Sequence, residues 1–372
     1  MKCGAMECEI NKNVLDHRAL SEWSGVIDKK NQTNTSCVSV ELPIDMVFND
    51  GHRLSIVVYT ILLIISGIAN TSFLKYLIKR RLKQPSKIDI MLMHLALADL
   101  IVTFVLMPLE ISWAFTVQWI AGDIMCRLMM FFRIFGLYLS SFVLVCISLD
   151  RYFAVLKPFN LSIRRSRMML LIAWIFGFLC SIPQAIIFHL ETHPNHNLYT
   201  QCVTFHFFTN DTHEMAYQII SFCLLFPFPL FVVTFCYVSI YIEIYKNTKT
   251  APKGIDKFRR SNDDILSRAK RRTLKMTVTI VIVFVVCWTP YYIMCIWYWI
   301  DRHNALEVDQ RIQRVLFLFA CTNSCMNPIV YGIFHHNSKC VKAKVPSKKI
   351  SFKQQMDQVR NQTESQIIEE IV

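Results

Sequence analysis

Along the chain, apolar residues gather into seven continuous runs separated by short polar or basic stretches. They fall near Leu54–Ile78, Ile88–Trp113, Met125–Phe153, Met168–Leu190, Tyr217–Tyr245, Thr273–Ile300 and Gln310–Phe334. A helix rises about 1.5 Å per residue, so some twenty residues match a hydrocarbon slab of about 30 Å. Strands of a membrane barrel would alternate apolar and polar with period two. These runs do not alternate, so the pattern predicts an all-α membrane protein with a seven-transmembrane helix bundle over residues 53–334. Residues 1–52 read as a polar extracellular segment. Residues 335–372 read as a cytoplasmic part that opens with a short amphipathic eighth helix and ends in a polar, disordered tail.

At 53% hydrophobic and 18% charged residues, the composition is too apolar for a soluble domain of 372 residues. No apolar signal region precedes the first run, which is therefore expected to direct its own insertion. Lys79, Arg80, Arg81, Lys83 and Lys87 follow run one, Lys157 and Arg164 to Arg167 follow run three, and Lys246 through Lys275 follow run five. Between Met168 and Tyr245 there is no Lys or Arg. Positive charge marks the cytoplasmic side, which puts the amino terminus outside and assigns the +13 net charge to the inner membrane face rather than to nucleic acid.

Polar groups inside the runs carry the chemistry. Arg133 and Arg151 stand eighteen residues apart in run three, five helical turns or about 27 Å. One can meet something outside and the other something inside, which is the geometry of a signal transducer. Asp99 in run two is costly in lipid and needs interior partners; Asn70, Asn323, Ser324 and Asn327 are available. Such a cluster can hold water or a small cation such as sodium; no other cofactor or metal is expected. The alternative is that these groups only make helix-packing hydrogen bonds. Of fourteen cysteines, Cys126 opens run three and Cys202 lies in the outer loop between runs four and five. In an oxidising exterior they can staple loop to helix, the alternative being two free thiols. Sequons at Asn31, Asn34 and Asn210 fall outside and are candidate glycosylation sites; those at Asn160 and Asn361 fall inside and are expected to stay unmodified.

Asn70, Leu95-Ala-Leu-Ala-Asp99, Cys126, Asp150-Arg151-Tyr152, Trp174, Pro229, Tyr237, Phe284-Val-Val-Cys287-Trp288-Thr-Pro290 and Asn327-Pro328-Ile-Val-Tyr331 stand in order along the chain. Together they resemble the rhodopsin-like G-protein-coupled receptors from about residue 53 to 340. Within that class the chain resembles the receptors for adipokinetic, corazonin and gonadotropin-releasing hormones. Phe132-Arg133-Ile-Phe-Gly136, Cys287-Trp-Thr-Pro-Tyr-Tyr-Ile293 and Trp297-Tyr-Trp-Ile-Asp301 look most like an insect adipokinetic hormone receptor. The resemblance implies a plasma-membrane receptor for a short blocked peptide. It also implies coupling mainly to Gq with Gs as a second partner, arrestin binding, and mobilisation of energy stores; corazonin or gonadotropin-releasing-type peptides are the alternative ligands.

The residues themselves restrict the ligand. No Lys lies between Val308 and Phe334 to bind retinal, and no acid lies between Cys126 and Leu149 to bind an amine. Arg133 occupies the outer half of run three instead, and its expected partner is Glu110, eleven residues after Asp99. Either Arg133 donates to a peptide carbonyl while Glu110 orders it, or the two form a purely structural buried pair. Trp113, Phe205, Tyr291, Tyr292 and Phe317 are the candidate aromatic lining, suited to a largely neutral peptide with an aromatic residue; an interfacial aromatic belt is the alternative. Beneath them, Trp288 and Phe284 precede the hinge residue Pro290, and Asp99, Asn327, Pro328 and Tyr331 complete the expected switch. At the inner face, Arg151 held by Asp150, with Tyr152, Phe159, Tyr237, Arg271 and Arg272, is the expected G-protein surface, the basic run serving equally for anionic lipid. Cys340 is a candidate palmitoylation site. A transporter would show internal repeats or charged rings and an enzyme a paired nucleophile and base; the sequence has neither.

Overall fold

The computed structural model describes residues 46–83, 86–156, 163–194, 196–249, 257–301 and 310–344. Contacts divide the chain into two units, Met1–Val330 and Tyr331–Val372. Among the described residues, seven helices are long and apolar enough to cross a membrane. They are span one (Asp50–Lys83), two (Lys87–Thr116), three (Gly122–Leu156), four (Ile163–Ile187), five (Thr212–Lys246), six (Leu274–Trp297) and seven (Ile312–Phe334).

Span three is the hub. Of its apolar window 94% is buried, against 28% for span one, and it packs on spans two, four and five. Small residues allow the close approach that membrane helices need: Gly136, Ser140, Ser141 and Ser148 are all buried. Gly136 packs against a stretch of span two where the helix widens. Val102–Leu106 form a π turn, closed by the Met107 N–H reaching back five residues to the Val102 carbonyl. The cause is local. Pro108 has no N–H and its ring crowds the carbonyl four residues back, so the chain widens by one residue ahead of it.

Elsewhere the helices depart from the apolar pattern in four places. Span five breaks at Phe226 (φ −133°, ψ −58°) between the helices Asp211–Leu225 and Pro227–Lys249. Pro227 disfavours helical backbone at the residue before it, so the break precedes Pro229, which falls in the first turn of the second helix. Span six belongs to a helix that starts at Lys257 rather than at Thr273. Span seven breaks at Thr322, and the helix beyond it, Asn323–Lys344, also covers the segment expected to form the eighth helix.

The fourth departure lies in the connection between spans four and five. Run four ends at Ile187, short of the expected Leu190, and the connection forms an antiparallel hairpin of β1 (His189–His193) and β2 (His196–Val203). His189 pairs with Val203 and Leu190 with Cys202.

A Cβ at position 136 would lie 2.9 Å from Val102 Cγ2, 3.1 Å from Ile101 Cγ2 and 3.2 Å from the Val102 nitrogen. Gly136→Ala is therefore expected to destabilise the bundle by about 1–3 kcal/mol, read as a lower thermal midpoint of the solubilised protein. Gly67→Ala, where the nearest atom is 3.4 Å away, should stay near wild type.

Candidate functional site

Just past the π turn, Glu110 faces Arg133 of span three. The Arg133 Nη2–Glu110 Oε1 distance is 2.6 Å, with the side chains 5% and 9% exposed. The sequence expectation of this pair holds. In so dry a setting each charge depends on the other, and removing one strands its partner at a cost of about 3–5 kcal/mol. The guanidinium also lies over a ring, its central carbon 5.2 Å from the Phe317 centroid, a cation–π contact.

From Phe317 the aromatic rings continue inward without a gap. Phe317 meets Tyr291 at 5.5 Å, Tyr291 meets Trp288 edge-on at 6.2 Å, and Trp288 meets Phe284 at 6.4 Å. Tyr292, also beside Trp288, turns toward span five, where it packs on Phe222 at 4.4 Å and Phe226 at 4.5 Å. Trp288 and Tyr292 are buried. The Trp288 Nε1 and Tyr292 hydroxyl have no hydrogen-bond partner among the described residues. Two dry, unsatisfied groups are expensive unless something else meets them.

Two further residues of the expected lining lie beside the hairpin. Trp113 belongs to a cluster around the Cys126–Cys202 disulfide with Leu109, Trp119, Met130 and Phe188. Its indole N–H donates to Gln201 Oε1 of β2 at 2.9 Å, and its ring meets Trp119 at 5.3 Å. The reason is polar: a buried indole N–H needs an acceptor, and the hairpin supplies one. Phe205 lies half-buried just after β2.

The hairpin is fastened at several points. The disulfide joins β2 to span three across 76 residues. Asp123 Oδ1 accepts the Leu190 N–H of β1 at 2.8 Å. Its other oxygen pairs with Arg127 at 2.7 Å, and Arg127 Nη1 donates to the Ile186 carbonyl at 3.1 Å, capping span four. The i, i+4 spacing of Asp123 and Arg127 was the available signal for this brace. Glu191 meets His206 at 2.6 Å. Asn210 is exposed and caps the next helix through Thr212 N at 2.8 Å.

Deeper in the bundle, Asp99 accepts from Asn327 Nδ2 at 2.7 Å and from Ser140 Oγ at 3.1 Å. Asn327 was an expected partner; Ser140 was not. Asn70 does not reach Asp99, because its amide donates to the Ser324 carbonyl at 2.8 Å and to Ser66 Oγ at 3.0 Å. Trp174 Nε1 donates to His94 Nδ1 at 3.0 Å.

At the far end of span three, Arg151 is ion-paired with Asp150, whose Oδ1 also accepts from Ser166 Oγ at 3.3 Å. Tyr237 lies beside Ser148, Thr277 and Arg151, and Tyr152 packs on Phe235 at 5.9 Å. Pro290 and Pro328 sit inside their helices; Tyr331 belongs to the second unit. Phe159, Asn31 and Asn34, and the side chains of Arg271, Arg272 and Cys340, lie outside the described residues.

Residues 70–331 match the family described as 7 transmembrane receptor (rhodopsin family). The chain is 36% identical over 324 residues to the gonadotropin-releasing hormone II receptor of Clarias gariepinus, covering 85% of this chain and 84% of that one. It is 38% identical over 255 residues to the gonadotropin-releasing hormone II receptor of Chlorocebus aethiops, covering 68% and 67%. To the gonadotropin-releasing hormone receptor of Mus musculus it is 34% identical over 292 residues, covering 76% and 89%.

Cys202→Ser should cost about 2–4 kcal/mol, and limited proteolysis should then cut within the hairpin, which the disulfide-bonded protein resists. Equal resistance in both would show that Asp123 and Trp113 suffice to hold it.

Proposed function

The chain belongs to the rhodopsin family of seven-transmembrane receptors, in the gonadotropin-releasing hormone receptor group, and from that premise we propose that it is the plasma-membrane receptor of a short peptide of the gonadotropin-releasing type. Proteins of this family are multi-pass membrane receptors, not enzymes. In this reading the hairpin and the amino terminus face outward, and the Asp150–Arg151 end faces the cytosol.

One observation carries the reading: Arg133 touches both Glu110 and the ring series that leads to Trp288 and Pro290. A peptide carbonyl that takes over an Arg133 N–H alters the guanidinium's hold on Phe317. Further carbonyls can accept from Trp288 Nε1 and the Tyr292 hydroxyl, two buried donors without a hydrogen-bond partner among the described residues. Contacts of this kind bias a hinge only if they differ between the two bundle packings. Replacing the Trp288 edge contact is such a difference, and Pro290 is the hinge. As span six tilts, Arg151 leaves Asp150 and a partner helix enters the cavity. Gq is the main partner in this reading, Gs a second, and arrestin and anionic lipid bind the same face.

The motif resemblance to adipokinetic hormone receptors supports a neutral blocked peptide as the alternative ligand. The relatives, all gonadotropin-releasing hormone receptors, favour the gonadotropin-releasing type over it. For a cation near Asp99, the Asp99 carboxylate and the Ser140 hydroxyl supply oxygen donors of the kind that hard cations take. A sodium ion held there would favour the packing in which these groups stay together.

Cells expressing the chain, screened with gonadotropin-releasing, adipokinetic and corazonin-type peptides, should give a calcium response of highest potency to the first. Silence toward all three overturns the reading. Arg133→Gln should cost about ten- to hundredfold in potency, the value of a hydrogen bond to a charged group, with surface expression retained. Unchanged potency would make the pair purely structural. Arg151→Ala should bind the peptide normally but fail to drive nucleotide exchange on the G protein.

A further inference from the structure

Away from the ligand site, one carboxylate of the hairpin stands between two imidazoles. Glu191, midway along β1, has Oε1 at 2.6 Å from His206 Nδ1 and Oε2 at 3.8 Å from His189 Nε2. His189 and Glu191 are two residues apart on the strand and so share a face. His189 opens β1 just after span four ends at Ile187, and His206 lies in the turn after β2 on left-handed backbone (φ 58°).

Proton positions decide what each contact is. An ionised carboxylate only accepts, so His206 Nδ1 carries a hydrogen and donates to Oε1. His189 Nδ1 lies 3.2 Å from the Ile187 carbonyl, which also only accepts. The one hydrogen of a neutral His189 is therefore on Nδ1, and its Nε2 faces Glu191 Oε2 as acceptor against acceptor. In keeping with this, Oε2 has no hydrogen-bond partner among the described residues. A second proton on His189 makes Nε2 a donor and turns that meeting into an attraction.

The charges around His189 favour the proton. Asp123 of span three lies close enough to interact with His189 electrostatically, and Arg127 is paired with Asp123 at 2.7 Å. Across the sheet, β2 sets uncharged Val203 opposite His189 and Gln201 opposite Glu191. His193, at the far end of β1, packs on Tyr199 instead. His189 thus meets two carboxylates and one guanidinium.

We propose that His189, Glu191 and His206 form an acid-sensitive brace on the hairpin, completed by one proton on His189, that slows peptide exchange as the outer medium acidifies. Once complete, it ties the end of span four, β1 and the turn after β2 to a single carboxylate. Imidazole ordinarily takes its proton at about pH 6.5, so the added contact is present near pH 5.5 and fades as the pH rises past neutrality. The two side chains are 25% and 28% exposed, so water keeps the effect modest. The effect on peptide rests on the receptor reading above; the effect on the hairpin does not.

Two measurements on the full chain in lipid nanodiscs test it. The first needs no peptide: protease cutting within the hairpin at about pH 5.5 and 7.5, with wild type and variant compared at each pH so that the protease's own pH dependence cancels. Wild type should gain about two- to fivefold in resistance over His189→Gln on acidification, the range of a half-exposed ion pair. Glu191→Gln should lose the same step, and decides alone if His189→Gln does not fold. His206→Gln should keep it; loss there as complete as in His189→Gln overturns the assignment of the switching proton. The second is release of a labelled gonadotropin-releasing-type peptide, which should slow on acidification about two- to fivefold more in wild type than in His189→Gln. Titration of the peptide or of the ligand site is common to both and cancels. Identical pH profiles of wild type and His189→Gln in the cutting assay overturn the brace. A difference in cutting without one in release overturns its action on peptide. If no such peptide binds, the receptor reading fails, and cutting still decides the brace.

Discussion

A guanidinium in a hydrocarbon-thick bundle can persist only with a counter-charge at hand, and Arg133 has Glu110 at 2.6 Å. Much of the molecule's other end-to-end organisation answers to that pair. Span two widens ahead of Pro108 at Val102–Leu106 on its way to Glu110, and span three carries glycine at 136, where the widened turn lies against it. Phe317 then gives the cation a ring face. The pair is thus held from three helices.

The hairpin above it is a second consequence of burying polar groups. Asp123, Arg127, Gln201 and the indoles of Trp113 and Trp119 each satisfy a donor or acceptor that the connection would otherwise leave dry. The disulfide adds one covalent point to a structure already tied by these bonds. The result is a roof set by chemistry on both its strands, unlike a loop that closes over a site by chance contact.

The seven spans were legible because continuous apolar length is a physical requirement of the slab. The Glu110–Arg133 pair was legible because so few charges lie at that depth. Its geometry was not: eleven residues make about three turns of a regular helix, and the π turn changes that spacing. Trp113 shows the other limit. Its acceptor, Gln201, is 88 residues away, and Ser140 reaches Asp99 across 41; such partners leave no local trace. The hairpin escaped notice because His189–His193 alternates no buried face with a wet one, so nothing in its pattern separates strand from loop.

The break at Phe226 has a mechanical meaning. Its ring lies 4.5 Å from Tyr292 and 5.4 Å from Phe284, so span five loses its helical stiffness at the level where it grips span six. Span seven does the same at Thr322, and span six has its proline between them. Three neighbouring columns are each weakened on one storey, whereas span three runs as one uninterrupted rod from Gly122 to Leu156. Load applied at the mouth will accordingly be taken up as bending in the compliant half of the bundle, with the rod of span three as its fixed frame.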